Sequence, residues 1–269
     1  ALEAYQKAVD LDANYAEAQY GLGWSLYHLE RYGDAIEPLL DAINLKPDLG
    51  AAHFTLGQTY ATYESFQDAI DEFKETLRLI PTYPEAYIEL GNAYLKNRDY
   101  DLAIGAYQEA IELNPGFFEA FTAIGVAYTE SNRDKQAIEP LKNALKINPD
   151  DSVAYQNLGI AYKNLGQHEE AIDAFLELIR IRFKDPEAYF LLASEYFVED
   201  LYDDAIQRFK DAIRLDPDYI DAHFQLSQVY VATGAFEKSL KEFELVVKIE
   251  PIHLEGHFRK GDIYQRLDN

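Results

Sequence analysis

The sequence predicts an all-α fold in which antiparallel helix pairs stack as a solenoid, because residue types recur every 34 residues. A glycine marks one position of this period, at Gly23, Gly57, Gly91, Gly125 and Gly159. A tyrosine recurs from Tyr60 to Tyr264, and a proline recurs from Pro47 to Pro251 with one interruption at Phe183. A fixed period of this length is typical of stacked supersecondary units. We therefore expect function to lie on a surface of the solenoid rather than in an enclosed pocket.

The first half of each repeat predicts a helix. Full repeats are numbered from residues 16, 50, 84, 118, 152, 186 and 220. Positions 3, 7, 11 and 14 of the repeat are mostly apolar, which is the spacing of one helical face. Position 2 is usually acidic, as in Glu17 and Glu85, and a carboxylate stabilises a helix N-terminus. We expect the apolar positions to form the core-facing stripe of a first helix.

The second half of each repeat predicts another helix, through positions 20, 21, 24, 27, 28 and 30. A polar stretch such as 96–99 separates the two helices, and the recurring proline marks the end of the second. Small residues at positions 8 and 20 should let the helices approach closely, and large residues at 7, 11 and 24 should fill the space between them. Pro38 and Pro140 lie inside predicted second helices and should bend them.

This combination of small and large residues resembles the tetratricopeptide repeat, a helix–turn–helix unit of the same period, over the whole chain. The resemblance implies a right-handed superhelix whose first helices line a concave groove that holds a peptide or helix of a partner. The predicted organisation is one solenoid over residues 1–269. It consists of a half repeat at 1–15 (second helix only), full repeats at 16–49, 50–83, 84–117, 118–151, 152–185, 186–219 and 220–253, and a half repeat at 254–269 (first helix only).

The composition restricts the classes of partner. The net charge of −24 argues against nucleic-acid backbone and anionic membrane, which repel such a field, and favours a basic partner. The alternative is that the acidic surface mainly keeps a long solenoid in solution. The chain has no cysteine, which excludes disulfides without assigning a compartment, and no run of residues suited to membrane insertion.

Positions 5, 9 and 12 of the first helix lie nearly opposite the core stripe, at about 100° per residue. These positions should be polar if they only face solvent, yet many are aromatic or aliphatic. The predicted groove residues are Tyr20, Trp24, Tyr27, Phe54, Gln58, Ile88, Asn92, Val126, Ile160, Lys163, Phe190, Phe197, Phe224, Gln228 and Phe258. Contiguous exposed apolar surface usually marks an interaction site. The alternative is that the position-5 rings pack partly against the first helix of the next repeat and belong to the core.

No catalytic constellation, cofactor motif or metal site is predicted. His53, His223 and His257 share position 4 and are interpreted as rings at the edge of the core rather than as ligands. His253 and His257 are four residues apart, with His223 one repeat earlier, but no cysteine or carboxylate at ligand spacing supports a metal site there. The subgroup of the family that grips chaperone carboxylates needs basic residues at positions 2, 5 and 6, where this chain has Glu17, Tyr20 and Gly21.

The leading hypothesis is therefore a non-enzymatic protein-interaction scaffold whose partner segment is apolar or aromatic with some basic character. A second hypothesis is head-to-tail self-association, because the half repeats at the two ends are complementary. A third is a regulatory or targeting segment of a larger protein, since the chain begins inside a repeat and contains no methionine.

Overall fold

The computed structural model describes residues 1–267, so Asp268 and Asn269 of the predicted last half repeat lie outside the described residues. This part of the chain consists of sixteen α-helices and contains no strand. The chain divides into two compact units, Ala1–Asn132 and Arg133–Asn269, which are called unit 1 and unit 2. The all-α prediction is confirmed, and each unit is a stack of helix pairs.

Unit 1 contains the first eight helices. They are α1 (Leu2–Leu11), α2 (Ala16–His28), α3 (Tyr32–Leu45), α4 (Gly50–Thr62), α5 (Phe66–Leu79), α6 (Pro84–Lys96), α7 (Tyr100–Leu113) and α8 (Phe118–Glu130). Unit 2 contains the other eight. They are α9 (Asp134–Ile147), α10 (Ser152–Asn164), α11 (His168–Ile181), α12 (Pro186–Val198), α13 (Tyr202–Leu215), α14 (Ile220–Ala232), α15 (Phe236–Ile249) and α16 (Leu254–Leu267).

Helix boundaries follow the repeat numbering. In every full repeat the first helix runs from position 1 to position 13 and the second from position 17 to position 30. Local chemistry supports these starts: Pro84 and Pro186 occupy the first helical position, and the Asp151 carboxylate accepts hydrogen bonds from the backbone N–H groups of Val153 and Ala154. Pro38 and Pro140 lie inside continuous helices α3 and α9, and the bends expected there stay predictions.

Small residues at position 8 bring the helices of one repeat together, as predicted. A Cβ on Gly57 would lie 2.7 Å from Phe73 Cε1, and one on Gly91 would lie 2.5 Å from Tyr107 Cε1. The large residue at position 24 therefore occupies the space that a side chain at position 8 would need. Phe73, Tyr107, Phe175, Phe209 and Phe243 are all fully buried at this position.

The core-facing stripe differs from the prediction at one position. Apolar residues at position 14 are exposed: Leu29 is 55% and Tyr63 is 54% exposed. The prediction that position 14 faces the core is therefore wrong, because the first helix ends at position 13 and position 14 already belongs to the turn. Position 10 is buried instead, with residues as different as Thr59, Glu195 and Val229.

Within each unit, each helix packs against its neighbours along the chain. In addition, first helices of consecutive repeats contact one another directly, at the pairs α2/α4, α4/α6 and α6/α8 in unit 1 and α12/α14 in unit 2. Unit 1 thus presents a row of four first helices side by side, and unit 2 presents α12 and α14 in the same arrangement. Among the residues that the structure describes, no helix is long and apolar enough to cross a bilayer.

Candidate partner-binding surfaces

All fifteen predicted groove residues lie on first helices, and none of them is buried. The unit-1 face is defined as the eight of them on α2, α4, α6 and α8: Tyr20, Trp24, Tyr27, Phe54, Gln58, Ile88, Asn92 and Val126. The unit-2 face is defined as the seven on α10, α12, α14 and α16: Ile160, Lys163, Phe190, Phe197, Phe224, Gln228 and Phe258. Contacts between consecutive first helices bring residues of the unit-1 face together along the whole row.

Helix α2 gives the unit-1 face its aromatic side chains. Trp24 is 42% exposed, and its ring packs edge-on against His28 with 4.1 Å between ring centroids. The Tyr27 ring lies 5.4 Å from the Tyr32 ring, also in an edge-on arrangement. Partial burial, followed by the negative charge of Glu89, raises the pKa of Tyr27, so the carboxylate on α6 lies close enough to act on a ring on α2.

The position-5 phenylalanines belong partly to the core. Phe54 packs on Phe73 at 5.8 Å and on Tyr83 at 4.9 Å between ring centroids. The same arrangement recurs in unit 2, where Phe190 packs on Phe209 and Tyr219, and Phe224 on Phe243 and His253. Each ring is thus wedged between position 24 of its own repeat and position 34, the residue just before the next first helix. These phenylalanines support the core and keep one side accessible.

Position 34 also contributes to this surface, which the sequence analysis did not predict. Tyr83 and Tyr219 occupy it in two repeats, and the recurrence of aromatic residues there was the available signal. Burial together with nearby carboxylates, Glu187 and Asp221 first among them, raises the pKa of Tyr219 to about 12. Its hydroxyl is therefore a neutral hydrogen-bonding group at physiological pH.

An open cavity of about 350 Å³ lies in unit 1 between α4 and α6. It is lined by Ala61, Thr62, Glu64, Phe66, Glu89, Asn92, Ala93 and Lys96. The buried Tyr107 hydroxyl donates to Asn92 Oδ1 at 2.9 Å, and Asn92 Nδ2 donates to Glu89 Oε2 at 3.3 Å. Of the predicted face residues, Asn92 lies at this cavity and is held by the core.

A second cavity, of about 220 Å³, lies in unit 2 between α14 and α16. It is lined by Phe197, Gln228, Val231, Ala232, Phe243, Arg259, Asp262, Ile263 and Arg266. Phe197 and Gln228 belong to the predicted face, whereas Phe258 on α16 is 60% exposed beside it. The Arg259 guanidinium pairs with Glu255 at 2.8 Å, and that of Arg266 lies over the Phe236 ring.

The histidines at position 4 divide into two classes. His53 and His223 are buried, which confirms their interpretation as rings at the edge of the core, but His257 is exposed and there the interpretation is wrong. His223 Nδ1 lies 2.6 Å from Glu242 Oε2, and its Nε2 lies 3.0 Å from the Pro217 carbonyl oxygen. Within residues 1–267, no group of three His, Asp or Glu side chains is arranged to hold a metal ion.

Comparison with known proteins places this geometry in context. A family model described as the C-terminal tetratricopeptide-repeat domain of cilia and flagella-associated protein 70 matches residues 1–250. The solved structure of MamA is 29% identical with a TM-score of 0.58, covering 61% of this chain and 95% of MamA. YrrB, described as a tetratricopeptide-repeat protein with an unusual peptide-binding site, is 23% identical with a TM-score of 0.60, covering 67% and 93%.

A higher TM-score, 0.76, is found for the C-terminal part of a tetratricopeptide-repeat protein from Cytophaga hutchinsonii. That structure is 15% identical and covers 88% of this chain and 97% of its own, which shows the shared fold. No curated protein matches the chain.

Proposed function

Because the chain belongs to the family of the C-terminal tetratricopeptide-repeat domain of cilia and flagella-associated protein 70, we propose that its first-helix faces bind a peptide or helix of a partner protein. Proteins built from this repeat are protein-interaction scaffolds. The binding proposed for this chain is non-enzymatic: the scaffold holds its partner without chemical change.

The observation that carries the proposal is that aromatic rings on the first helices are exposed to solvent, where packing of the repeat does not require aromatic residues. Trp24 is 42% exposed and Tyr27 is half-buried on adjacent turns of α2, although the core beneath them is filled by small and aliphatic residues. Aromatic side chains are the usual anchors of protein interfaces. YrrB, whose fold this chain shares, is described as having a peptide-binding site.

The partner segment that fits best is apolar or aromatic with basic character. Apolar anchors would bury the rings of the unit-1 and unit-2 faces. Basic side chains would be attracted by the net charge of −24, which also raises the association rate at low salt.

The experiment uses a short peptide, acetylated and amidated at its ends, selected from a displayed random library and labelled with fluorescein. Fluorescence anisotropy should show that Trp24→Ala weakens binding by at least about tenfold, since a buried aromatic anchor is worth about 1.4 kcal/mol or more. Tyr63→Ala is the matched control, because Tyr63 is similarly exposed but lies in the turn after α4. Equal affinities for wild type, Trp24→Ala and Phe197→Ala would show that neither face binds the peptide.

Head-to-tail association is a second candidate. Leu11 on α1 is 76% exposed, and Leu254 and Phe258 on α16 are 83% and 60% exposed. In the full repeats that lie within one unit, such as those of α2/α3 and α14/α15, the first helix packs on the second helix. The first helix α16 of one copy and the second helix α1 of another could form such a pair, which would propagate because the contact is heterologous.

Sedimentation velocity over a range of protein concentrations tests this candidate. Self-association should appear as a sedimentation coefficient that rises with concentration, and Leu254→Ser combined with Phe258→Ser should suppress it. A concentration-independent monomer would eliminate the candidate and leave the peptide-binding proposal unaffected.

A further inference from the structure

The cavities of the two units occupy the same place in the repeat. Position 6 is Glu89 in unit 1 and Arg259 in unit 2. Both cavities also include position 9 (Asn92 or Asp262) and position 13 (Lys96 or Arg266) of the same helix. The chain thus places opposite charges at one equivalent point of two similar sites.

In unit 1 the position-6 carboxylate is held in place from beneath. The Tyr107 hydroxyl, on a fully buried ring, donates to Asn92, and Asn92 donates in turn to Glu89 Oε2. In the described part of the chain, Glu89 Oε1 accepts no hydrogen bond and the Glu64 carboxylate accepts none either. The carboxylate of Glu89 is therefore oriented by the core while part of its acceptor capacity stays open to the cavity.

Aromatic side chains lie near this carboxylate. Its negative charge contributes, after burial, to raising the pKa of Tyr27 on α2 and of Tyr107 on α7. The Phe66 ring lines the cavity wall. A carboxylate among aromatic rings is the setting that favours a cation, through an ion pair and through attraction to the ring faces.

We propose that the cavity between α4 and α6 binds a lysine or arginine side chain of the partner segment, with Glu89 as its counter-ion. The proposal rests on the proposed peptide-binding function and specifies one contact within it. The charged groups that line the cavity are Glu64, Glu89 and Lys96, so the net charge of its lining is −1. The equivalent cavity of unit 2, with Arg259 at position 6, repels the same side chain.

Small-molecule probes test the contact without a known partner. N-acetyl-arginine N-methylamide is titrated into ¹⁵N-labelled protein, and N-acetyl-citrulline N-methylamide, of similar shape but uncharged, serves as the control probe. The arginine probe should shift the backbone amide resonances of Glu64, Glu89 and Lys96 with affinity on the order of millimolar, and the citrulline probe should bind at least about fivefold more weakly. The resonances of Arg259 and Asp262 should not move.

Variants separate the counter-ion from its surroundings. Glu89→Gln should weaken arginine-probe binding by about fivefold or more, whereas Glu85→Gln, one turn earlier on α6 and exposed, should leave it unchanged. Circular dichroism of each variant verifies the fold. Equal binding of both probes, shifts confined to other residues, or wild-type affinity in Glu89→Gln would overturn the proposal.

The failure of this contact is distinguishable from failure of the proposed function. If the selected peptide loses affinity in Trp24→Ala but not in Glu89→Gln, the unit-1 face binds and the Glu89 contact is wrong. If Trp24→Ala, Phe197→Ala and Glu89→Gln all leave the affinity of the peptide unchanged and the arginine probe does not bind, both proposals fail.

Discussion

A single glycine illustrates how closely the two helices of a repeat approach. The Cα of Gly91 faces the fully buried ring of Tyr107, and a Cβ there would lie within 2.5 Å of the ring. The ring cannot withdraw without breaking the hydrogen bond from its hydroxyl to Asn92. Gly91 is therefore constrained by packing, whereas Gly105 inside α7 has no atom within 4 Å of an added Cβ.

We expect Gly91→Ala to destabilise the protein by about 1–3 kcal/mol, because the added methyl group overpacks the interface between α6 and α7. Gly105→Ala is the matched control. Gly105 lies inside α7, and nothing lies within 4 Å of the place that an added methyl group would take, so alanine should stabilise the helix by up to about 1 kcal/mol. Urea unfolding of both variants gives the comparison. Equal effects of the two substitutions would contradict the packing argument.

The stabilisation that His223 contributes to the fold depends on pH. Burial alone would lower its pKa, but hydrogen bonds with the Glu242 carboxylate and the Pro217 carbonyl, and the charges of Glu242 and Asp218, raise it above 6.5. Because the folded-state pKa is raised, the stabilisation by His223 is fully present below the unfolded-state pKa, about 6.5. It is lost as the pH rises through the folded-state value.

The His223 imidazole should therefore titrate above pH 6.5 when its resonances are followed by NMR. In Glu242→Gln the acidic partner is gone while the side-chain shape is kept, so the pKa of His223 should fall because burial then dominates. An unchanged titration curve in Glu242→Gln would show that the carboxylate does not hold the proton on His223.

The turn between the two helices of a repeat is the recurring feature at the scale of the element. Position 15 has a positive φ in all seven full repeats: Glu30, Glu64, Arg98, Asn132, Gly166, Asp200 and Gly234. Five of these are not glycine, although a left-handed backbone costs an L-residue about 1 kcal/mol or more. The tertiary packing of the helix pair thus imposes a conformation that most of the side chains oppose.

Glycine at position 15 should relieve this cost. We expect Arg98→Gly to be neutral or to stabilise the protein by up to about 1 kcal/mol, despite the greater freedom of the unfolded chain. The reverse change, Gly166→Ala, should destabilise it by about 1 kcal/mol, since φ is +71° there and no neighbouring atom lies within 4 Å of an added methyl group. Thermal unfolding compares the pair, and stabilisation by Gly166→Ala would rule out backbone strain.

These turns also show which features the sequence could predict. Regular spacing of small and large residues predicted the helix pairs, because contacts such as Gly57 with Phe73 recur in the same place. The left-handed position 15 was not predicted, since Glu, Arg, Asn and Asp replace the glycine that would have indicated it. The burial of position 10 was not predicted, because some residues at this position are polar. Glu195, for example, is buried there and pairs with His168.

The candidate surfaces were predictable in part. Helical periodicity correctly predicted that Trp24 is exposed, whereas Phe197 packs partly against the core. It could not show that Phe54 is wedged against Tyr83, because that contact depends on where the loop before α6 returns. Nor could it show that Asn92 connects Glu89 to the core, since three residues on two helices must converge.

At the scale of the whole molecule, stability arises from contacts between neighbours. Within each unit, helices pack on the helices next to them along the chain and, in some repeats, on the next first helix, so contacts stay local in sequence. The stability of such repeat proteins is approximately a sum of repeat and nearest-neighbour contributions. Truncation of a large core side chain should then unfold the neighbouring repeats before it affects distant ones. A single free energy of unfolding would not describe such a chain.

Phe73 in unit 1 and Phe209 in unit 2 provide a reciprocal test, because both are fully buried at position 24. Each change to alanine should cost about 3–5 kcal/mol locally. In Phe73→Ala, amide hydrogen exchange should accelerate in α4–α6 while protection in α12–α14 is kept, and Phe209→Ala should give the opposite pattern. Uniform loss of protection across both units in either variant would mean that the chain unfolds as one cooperative body, and the nearest-neighbour account would then be wrong.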